Sequence, residues 1–141
     1  MKNTETLTAL FREQGLRVTP QRQAIFRLLQ DDASHPTVES LYDRARTEMP
    51  TISLKTVYQT VHDLEALGEV TVLDLGTGSL RVDPNIESEH HHLVCTVCGR
   101  VRDLGVDFEG LSVPPRYRRD FTVDEVQVIF RGRCDQCSDR I

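Results

Sequence analysis

The sequence predicts an α+β protein of two small domains, and three observations carry that prediction. Between Thr4 and Leu67 apolar residues recur at the three- and four-residue spacing of helices. From Glu69 onward the period shortens to that of strands. Two Cys-x-x-Cys pairs, Cys95 with Cys98 and Cys134 with Cys137, then bracket the C-terminal part. A chain of 141 residues has room for one compact domain or two small ones, which excludes a large multi-domain enzyme.

The elements follow in order. Leu7, Leu10 and Phe11 mark a first helix from Thr4 to Gln14, ended by Gly15. Thr19-Pro20 starts a second, because the hydroxyl caps free N–H groups and proline has no N–H to leave unpaired. Ala24, Ile25, Leu28 and Leu29 form its buried stripe, and Asp31-Asp32 ends it. Thr37 caps a third helix that turns Val38, Leu41, Tyr42 and Ala45 to the core and stops before Met49-Pro50. Ser53 caps a fourth, with Leu54, Val57, Val61, Leu64 and Leu67 as its apolar face. Gly68 stands where the chain leaves that helix in the left-handed region.

Glu69 to Leu75 and Ser79 to Val82, around Gly76-Thr77-Gly78, read as a β-hairpin. Helices followed by a two-stranded hairpin describe a winged helix, in which the last helix before the wing enters the DNA major groove. Its polar face carries Lys55, Thr56, Tyr58, Gln59 and His62; the plain alternative is the solvated face of a small helical bundle. Beyond Asp83-Pro84-Asn85, strands are expected at His90 to Cys95 and Arg100 to Asp103. A long strand is expected from Phe121 to Arg131 with Val126, Val128 and Phe130 inward. Asp107 to Arg119, with Pro114-Pro115, holds only a short helix. The boundary falls near residues 82 to 86, giving domains 1–82 and 83–141.

With 38% hydrophobic and 28% charged residues the composition is that of a folding globular protein and not of a disordered one. No apolar run approaches the ~20 residues of a membrane helix, and the N-terminus lacks the apolar core of a secretory signal, so a cytoplasmic location without membrane association is expected. The net charge of −5 excludes a uniformly basic DNA-coating protein. It is unevenly spread: residues 1–30 hold five basic and two acidic groups, a net +3, and the remainder a net −8. A polyanion is therefore expected to meet the N-terminal part.

The cysteine spacing supplies four thiolates to one tetrahedral Zn(II) in a reducing compartment, where two disulfides would not persist. A redox-active Cys-x-x-Cys is the alternative, but it does not need the second pair. His90, His91 and His92 precede the first cysteine closely. On an extended strand His90 and His92 share one face and His91 takes the other. With Asp83 and Asp103 nearby, the nitrogen and oxygen donors suit Mn(II), Fe(II) or Zn(II), against the plain alternative of a solvated polar loop.

Taken together, Arg17-x-Thr-Pro-Gln-Arg22, Ser34-His-Pro-Thr37, Ser53-x-x-Thr-Val-Tyr58, Leu64-x-x-x-Gly68, His91-His-x-x-Cys95-x-x-Cys98-Gly99 and Cys134-x-x-Cys137 resemble the ferric uptake regulator family of bacterial metal-dependent repressors. The resemblance covers nearly the whole chain. It implies a winged-helix DNA-binding domain, a C-terminal α/β dimerisation domain, a structural zinc on Cys95, Cys98, Cys134 and Cys137, and a regulatory metal on His35, Asp83, His90, His92 and Asp103. It further implies a homodimer that binds a double-stranded, A·T-rich palindromic operator. The expected DNA contacts are Thr56, Tyr58 and Gln59 in the major groove, Lys55 toward phosphate and Arg17 near the minor groove, with Arg22 structural or on phosphate.

Asp103, where iron-responsive members typically carry Glu, is similar to the peroxide-responsive branch, as are Arg81-Val-Asp-Pro-Asn85 and Phe121-Thr-Val-Asp-Glu125. Zinc-uptake regulators place an additional cysteine between wing and histidines, and this chain has none. A further metal site of many relatives is expected to be absent or weak, since Asp124-Glu125-Val126 stands where a histidine belongs and only Glu89 and His91 remain. The resemblance thus implies a repressor, not an enzyme, whose Fe(II) drives oxidation of His35 or His90 by hydrogen peroxide while Mn(II) supports DNA binding without oxidation. A reversible iron or manganese sensor is the rival within the family. A small metallo-hydrolase is the rival outside it, disfavoured because the carboxylates are taken as ligands and no general base is left.

Overall fold

The computed structural model describes residues 1–87 and 90–138. The chain divides into two compact units, Met1–Glu87 and Ser88–Ile141, so Asp83 falls in the first of them.

In the first unit α1 (Thr4–Glu13), α2 (Pro20–Leu29), α3 (Val38–Glu48) and α4 (Leu54–Ala66) precede β1 (Thr71–Leu73) and β2 (Arg81–Asp83). Every helix begins on a side-chain cap. Thr19, Thr37 and Ser53 accept from the amides of Arg22, Ser40 and Thr56, and Asn3, a cap the periodicity does not reveal, accepts from Thr6. Gly68 leaves α4 at φ +74°, where a Cβ would be strained. The apolar stripes meet in one core that includes Leu7, Phe11, Phe26, Leu41, Val57 and Leu64, closed by Val82 of β2. Leu54, expected on that face, is instead exposed, because the first residue of α4 precedes its buried stripe. β1 and β2 form an antiparallel hairpin shorter than expected, with Val72 opposite Val82. The His35–Thr37 segment lies along β2: the Val82 amide donates to the Pro36 carbonyl at 2.8 Å, and Thr37 bridges Arg81.

In the second unit β3 (His91–Cys95), β4 (Val101–Leu104) and β5 (Ile129–Gly132) make a three-stranded sheet in the order β4-β3-β5. β3 pairs antiparallel with β4, placing His92 opposite Asp103, and parallel with β5, placing His92 opposite Ile129. Asp107 to Arg119 contains a single 3₁₀ turn, Pro115–Tyr117.

The long strand expected over Phe121 to Arg131 is corrected: only Ile129–Gly132 is strand, and of the residues expected inward Val126 and Phe130 are exposed and Val128 is half-buried. The reason lies in the parallel ladder. β3 begins at His91, so residues upstream of Val128 find no strand partner among the described residues, and alternation alone does not hold an extended chain.

Candidate metal centres and nucleic-acid interface

The four cysteines of the second unit converge. Their sulfurs all lie within 4.8 Å of one another, and Cys98 Sγ and Cys134 Sγ are 3.8 Å apart. A zinc ion holding four thiolates at ~2.3 Å requires sulfur separations of about 3.8 Å, so the cluster fits that ion. Each knuckle is folded by its own backbone. Gly99 turns at φ +76° and donates to the Cys95 carbonyl at 3.0 Å, while Cys137 N–H donates to the Cys134 carbonyl.

N–H groups also point at sulfur, with Cys134 N–H donating to Cys95 Sγ at 3.4 Å. Backbone donors at Cys98 and Cys134 pull the Cys95 thiol down to about 6, whereas burial pushes Cys137 up to about 12. Four thiolates at this spacing repel one another strongly, and a central dication is the group that relieves the repulsion. Arg100, just after the first knuckle, reaches the second by bonds to Asp135 Oδ1 at 3.2 Å and Gln136 Oε1 at 3.0 Å.

The first unit holds one imidazole–carboxylate pair. His35 is buried in the loop between α2 and α3 and adopts φ +53°, a left-handed backbone that a non-glycine residue keeps only when its surroundings impose it. Here Asp32 imposes it, accepting from Ser34 N–H at 2.9 Å and Ser34 Oγ at 2.6 Å and pairing with Arg44 at 2.8 Å. Burial pushes the Asp32 pKa up, but the Ser34 and Arg44 bonds outweigh it and hold the carboxyl below its ordinary value. His35 Nδ1 lies 2.9 Å from the Ala33 carbonyl, which fixes the proton there and leaves Nε2 facing Asp83 Oδ2 at 3.3 Å. The other oxygen of Asp83 accepts from Asn85 N–H at 2.9 Å.

A second constellation lies wholly within the second unit. His90 Nε2 and His92 Nε2 stand 3.5 and 3.6 Å from the same oxygen, Oδ1 of Asp103. Their rings are 4.8 Å apart, and the β3–β4 register sets His92 against Asp103. His91 takes the opposite face, as strand alternation requires. Its ring packs on Phe108 at 5.1 Å and its Nδ1 accepts from Val128 N–H at 3.0 Å. Glu89 lies outside the described residues.

On the surface of α4 the expected DNA contacts divide between two flanks. Arg17, Lys55, Thr56 and Gln59 line one open groove together with Gln21 and Met49. Tyr58 lies on the other flank beside Glu39, His62 and Leu80, and its hydroxyl donates to Glu39 Oε1 at 2.7 Å. That bond raises the Tyr58 pKa and lowers that of Glu39. Gln59 Nε2 donates to Asp63 at 3.1 Å, and Arg22 pairs with the same carboxylate at 2.8 Å while stacking over Phe11. Arg22 is thus tied to α4 and α1 while it also lines the open groove. Sequence reasoning missed Glu39, Asp32 and Asp63 as partners of site residues: Glu39 meets Tyr58 across two helices and Asp32 closes within its loop, whereas Asp63 stands one turn after Gln59 on α4, a spacing that was legible.

Comparison with known proteins agrees with this geometry. The model of the ferric uptake regulator family matches residues 13–130. The peroxide-responsive repressor PerR of Staphylococcus aureus strain Mu50 is 33% identical over 140 residues, covering 96% of this chain and 92% of that protein. A zinc-bound manganese uptake regulator superposes with a TM-score of 0.70 at 29% identity, covering 94% of this chain and 99% of that one. The peroxide stress regulator of Campylobacter jejuni does so with a TM-score of 0.64 at 27% identity, covering 97% and 100%.

Proposed function

Because the chain belongs to the ferric uptake regulator family, we propose that it is a homodimeric, metal-dependent DNA-binding repressor that responds to hydrogen peroxide by oxidation of a ligating histidine. The observation that carries the reading is the pairing of imidazole Nε2 atoms with carboxylate oxygens in each unit, His35 with Asp83 and His90 and His92 with Asp103. In this reading the five residues act as one regulatory site, and Cys95, Cys98, Cys134 and Cys137 hold a structural Zn(II).

The first unit is read as a winged helix, with α4 as recognition helix and the β1–β2 hairpin as wing. Ligands drawn from both units favour the inter-domain angle that brings the two α4 helices of a dimer into successive major grooves, ~34 Å apart, of an A·T-rich palindrome. Thr56, Tyr58 and Gln59 read bases there, Lys55 meets phosphate, Arg17 lies near the minor groove, and the Glu39 and Asp63 bonds pre-orient Tyr58 and Gln59. Gln59 suits adenine, to which an amide bonds in pairs. The site of action is the cytoplasm. No helix of the described residues is long and apolar enough to cross a membrane.

His35, Asp83, His90, His92 and Asp103 would hold Fe(II), which when bound would supply reducing power toward hydrogen peroxide beside the imidazoles. The chain's part is to hold His35 and His90 within reach and to release the metal once a ring carries added oxygen. Asp32 and Ser34 hold the His35 loop, and the Ala33 carbonyl keeps Nε2 unprotonated for coordination. The test is peptide mass spectrometry of zinc-replete protein loaded with Fe(II) or Mn(II) and exposed to dilute hydrogen peroxide. A gain of one oxygen on the peptides of His35 or His90 in the Fe(II) sample alone is expected.

Absence of that gain, with Fe(II) binding shown separately, would select the second reading, a reversible manganese or iron sensor. The similarity to the manganese uptake regulator favours that reading.

A further inference from the structure

Arg81 occupies a position the proposed function does not use. Its side chain is half-buried and reaches two places at once. Nη1 donates to the His35 carbonyl at 2.9 Å, and Nε donates to Thr77 Oγ1 in the hairpin turn at 3.2 Å. Thr77 Oγ1 in turn lies 3.4 Å from the Ser79 carbonyl, so it accepts from Arg81 and donates across the turn.

Arg81 opens β2, the strand that ends in Asp83, and its neighbour Val82 is tied to Pro36. One guanidinium therefore joins the backbone of one metal-ligand candidate, sits two residues from another, and holds the tip of the hairpin. Gly76 and Gly78 flank Thr77 at φ +75° and +93°, so the turn has little stiffness of its own and depends on such bonds for a single conformation. The planar fork of arginine suits this double attachment, because Nε and Nη1 are held apart in one rigid group whereas the donors of lysine converge on a single nitrogen.

We propose that Arg81 is a positioning residue that transmits metal occupancy at His35 and Asp83 to the Gly76–Ser79 turn. A metal bridging His35 and Asp83 would add a tie between the His35 loop and β2, and so would lengthen the lifetime of the Arg81 bonds that already join the His35 carbonyl to the turn. The operator response then has a component inside the first unit, independent of the angle between the units. The inference rests on the proposed assignment of His35 and Asp83 as ligands and of the hairpin as a DNA-contacting wing.

The experiment is amide hydrogen exchange on the zinc-replete, full-length protein with and without Mn(II), followed in the peptide spanning the turn. In the unaltered protein Mn(II) is expected to slow exchange there by about tenfold, in the range of ordinary coupling between sites. Thr77→Val removes the acceptor on the wing side and leaves the Arg81–His35 bond, so Mn(II) affinity should stay while the slowing disappears. Thr77→Ser should restore it. Binding to an A·T-rich palindromic duplex, selected from random pools with the Mn(II)-loaded protein, should lose about tenfold of its metal stimulation in Thr77→Val and none in Thr77→Ser.

Turn exchange that ignores Mn(II) in the unaltered protein, or a Thr77→Val protein indistinguishable from it, overturns the role of Arg81 and leaves the repressor reading intact. Failure of the unaltered protein to bind any duplex in a metal-dependent way sinks both.

Discussion

Met1–Glu87 closes a core running from Leu7 through Phe26 and Leu64 to Val82. Among the described residues of the second unit the buried apolar side chains are Val94, Cys95, Val101 and Cys137, while Leu111, Tyr117, Phe121, Val126 and Phe130 are exposed. The contrast teaches that the two units are stabilised differently. The first buries enough surface to pay its own conformational entropy, whereas the second is below the size at which an apolar core suffices, a regime where metals and subunit contacts supply the difference. The cysteine cluster is therefore to the second unit what Phe11, Phe26 and Leu64 are to the first. The exposed side chains from Leu111 to Phe130 are the surface that the proposed homodimer is expected to cover.

The largest effect that would break this comparison is loss of the metal from the cysteines. Zinc bound to such a site contributes on the order of 10 kcal/mol of folding free energy. Cys134→Ser should accordingly unfold the second unit and dissociate the dimer. Every α-helix of the described residues lies in the first unit, so the far-UV helical signal should survive. A folded, zinc-free dimer would show that the second unit has a core of its own, and loss of the helical signal would show that the first does not.

The next effect sharpens the contrast by using one residue type in both units. Phe26 is fully buried and meets Phe11 edge to face at 4.9 Å; Phe121 is 72% exposed. Phe26→Ala should cost about 3–5 kcal/mol in urea unfolding followed by the helical signal. Phe121→Ala should change chain stability by less than ~0.5 kcal/mol and show itself, if anywhere, in the dimer dissociation constant. Equal costs at the two positions would remove the distinction.

Legibility in the sequence divides along the same line. The helices of the first unit were readable because capping residues and apolar period are local, and Thr19, Thr37 and Ser53 cap as their hydroxyls predict. The cysteine cluster was readable because ligand spacing is itself the signal. The Phe121–Arg131 stretch was misread because alternation shows which face a strand would bury but not whether a partner strand exists. The loop around His35 was legible only as a motif. Its left-handed backbone and the Asp32–Arg44 pair that holds it depend on contacts between α2, the loop and α3. Arg81 looked like a family marker and proved to be a bridge because the hairpin and the His35 segment fold against each other.

The smallest effect separates the units by acidity. The Glu69 side chain is buried, accepts from the Lys2 amide at 3.0 Å and pairs with the Lys2 ammonium. Burial pushes its pKa up, but the Lys2 bonds outweigh burial and hold it below the ordinary glutamate value. A depressed folded-state pKa means that the unfolded chain takes up its proton first as pH falls. The stabilisation is therefore complete above the unfolded value near ~4.3 and is lost as pH drops through the lower folded one.

Because Lys2 is half exposed and screened, the loss should be below ~1 kcal/mol. Protons compete for the zinc-binding sulfurs as well, and zinc release, followed with a chromogenic chelator, should precede any loss of the helical signal during acidification. Glu69→Gln should flatten the dependence of the helical unfolding midpoint between about pH 5 and pH 3 without moving the pH of zinc release. A shift of both together would mean that the two units do not unfold separately.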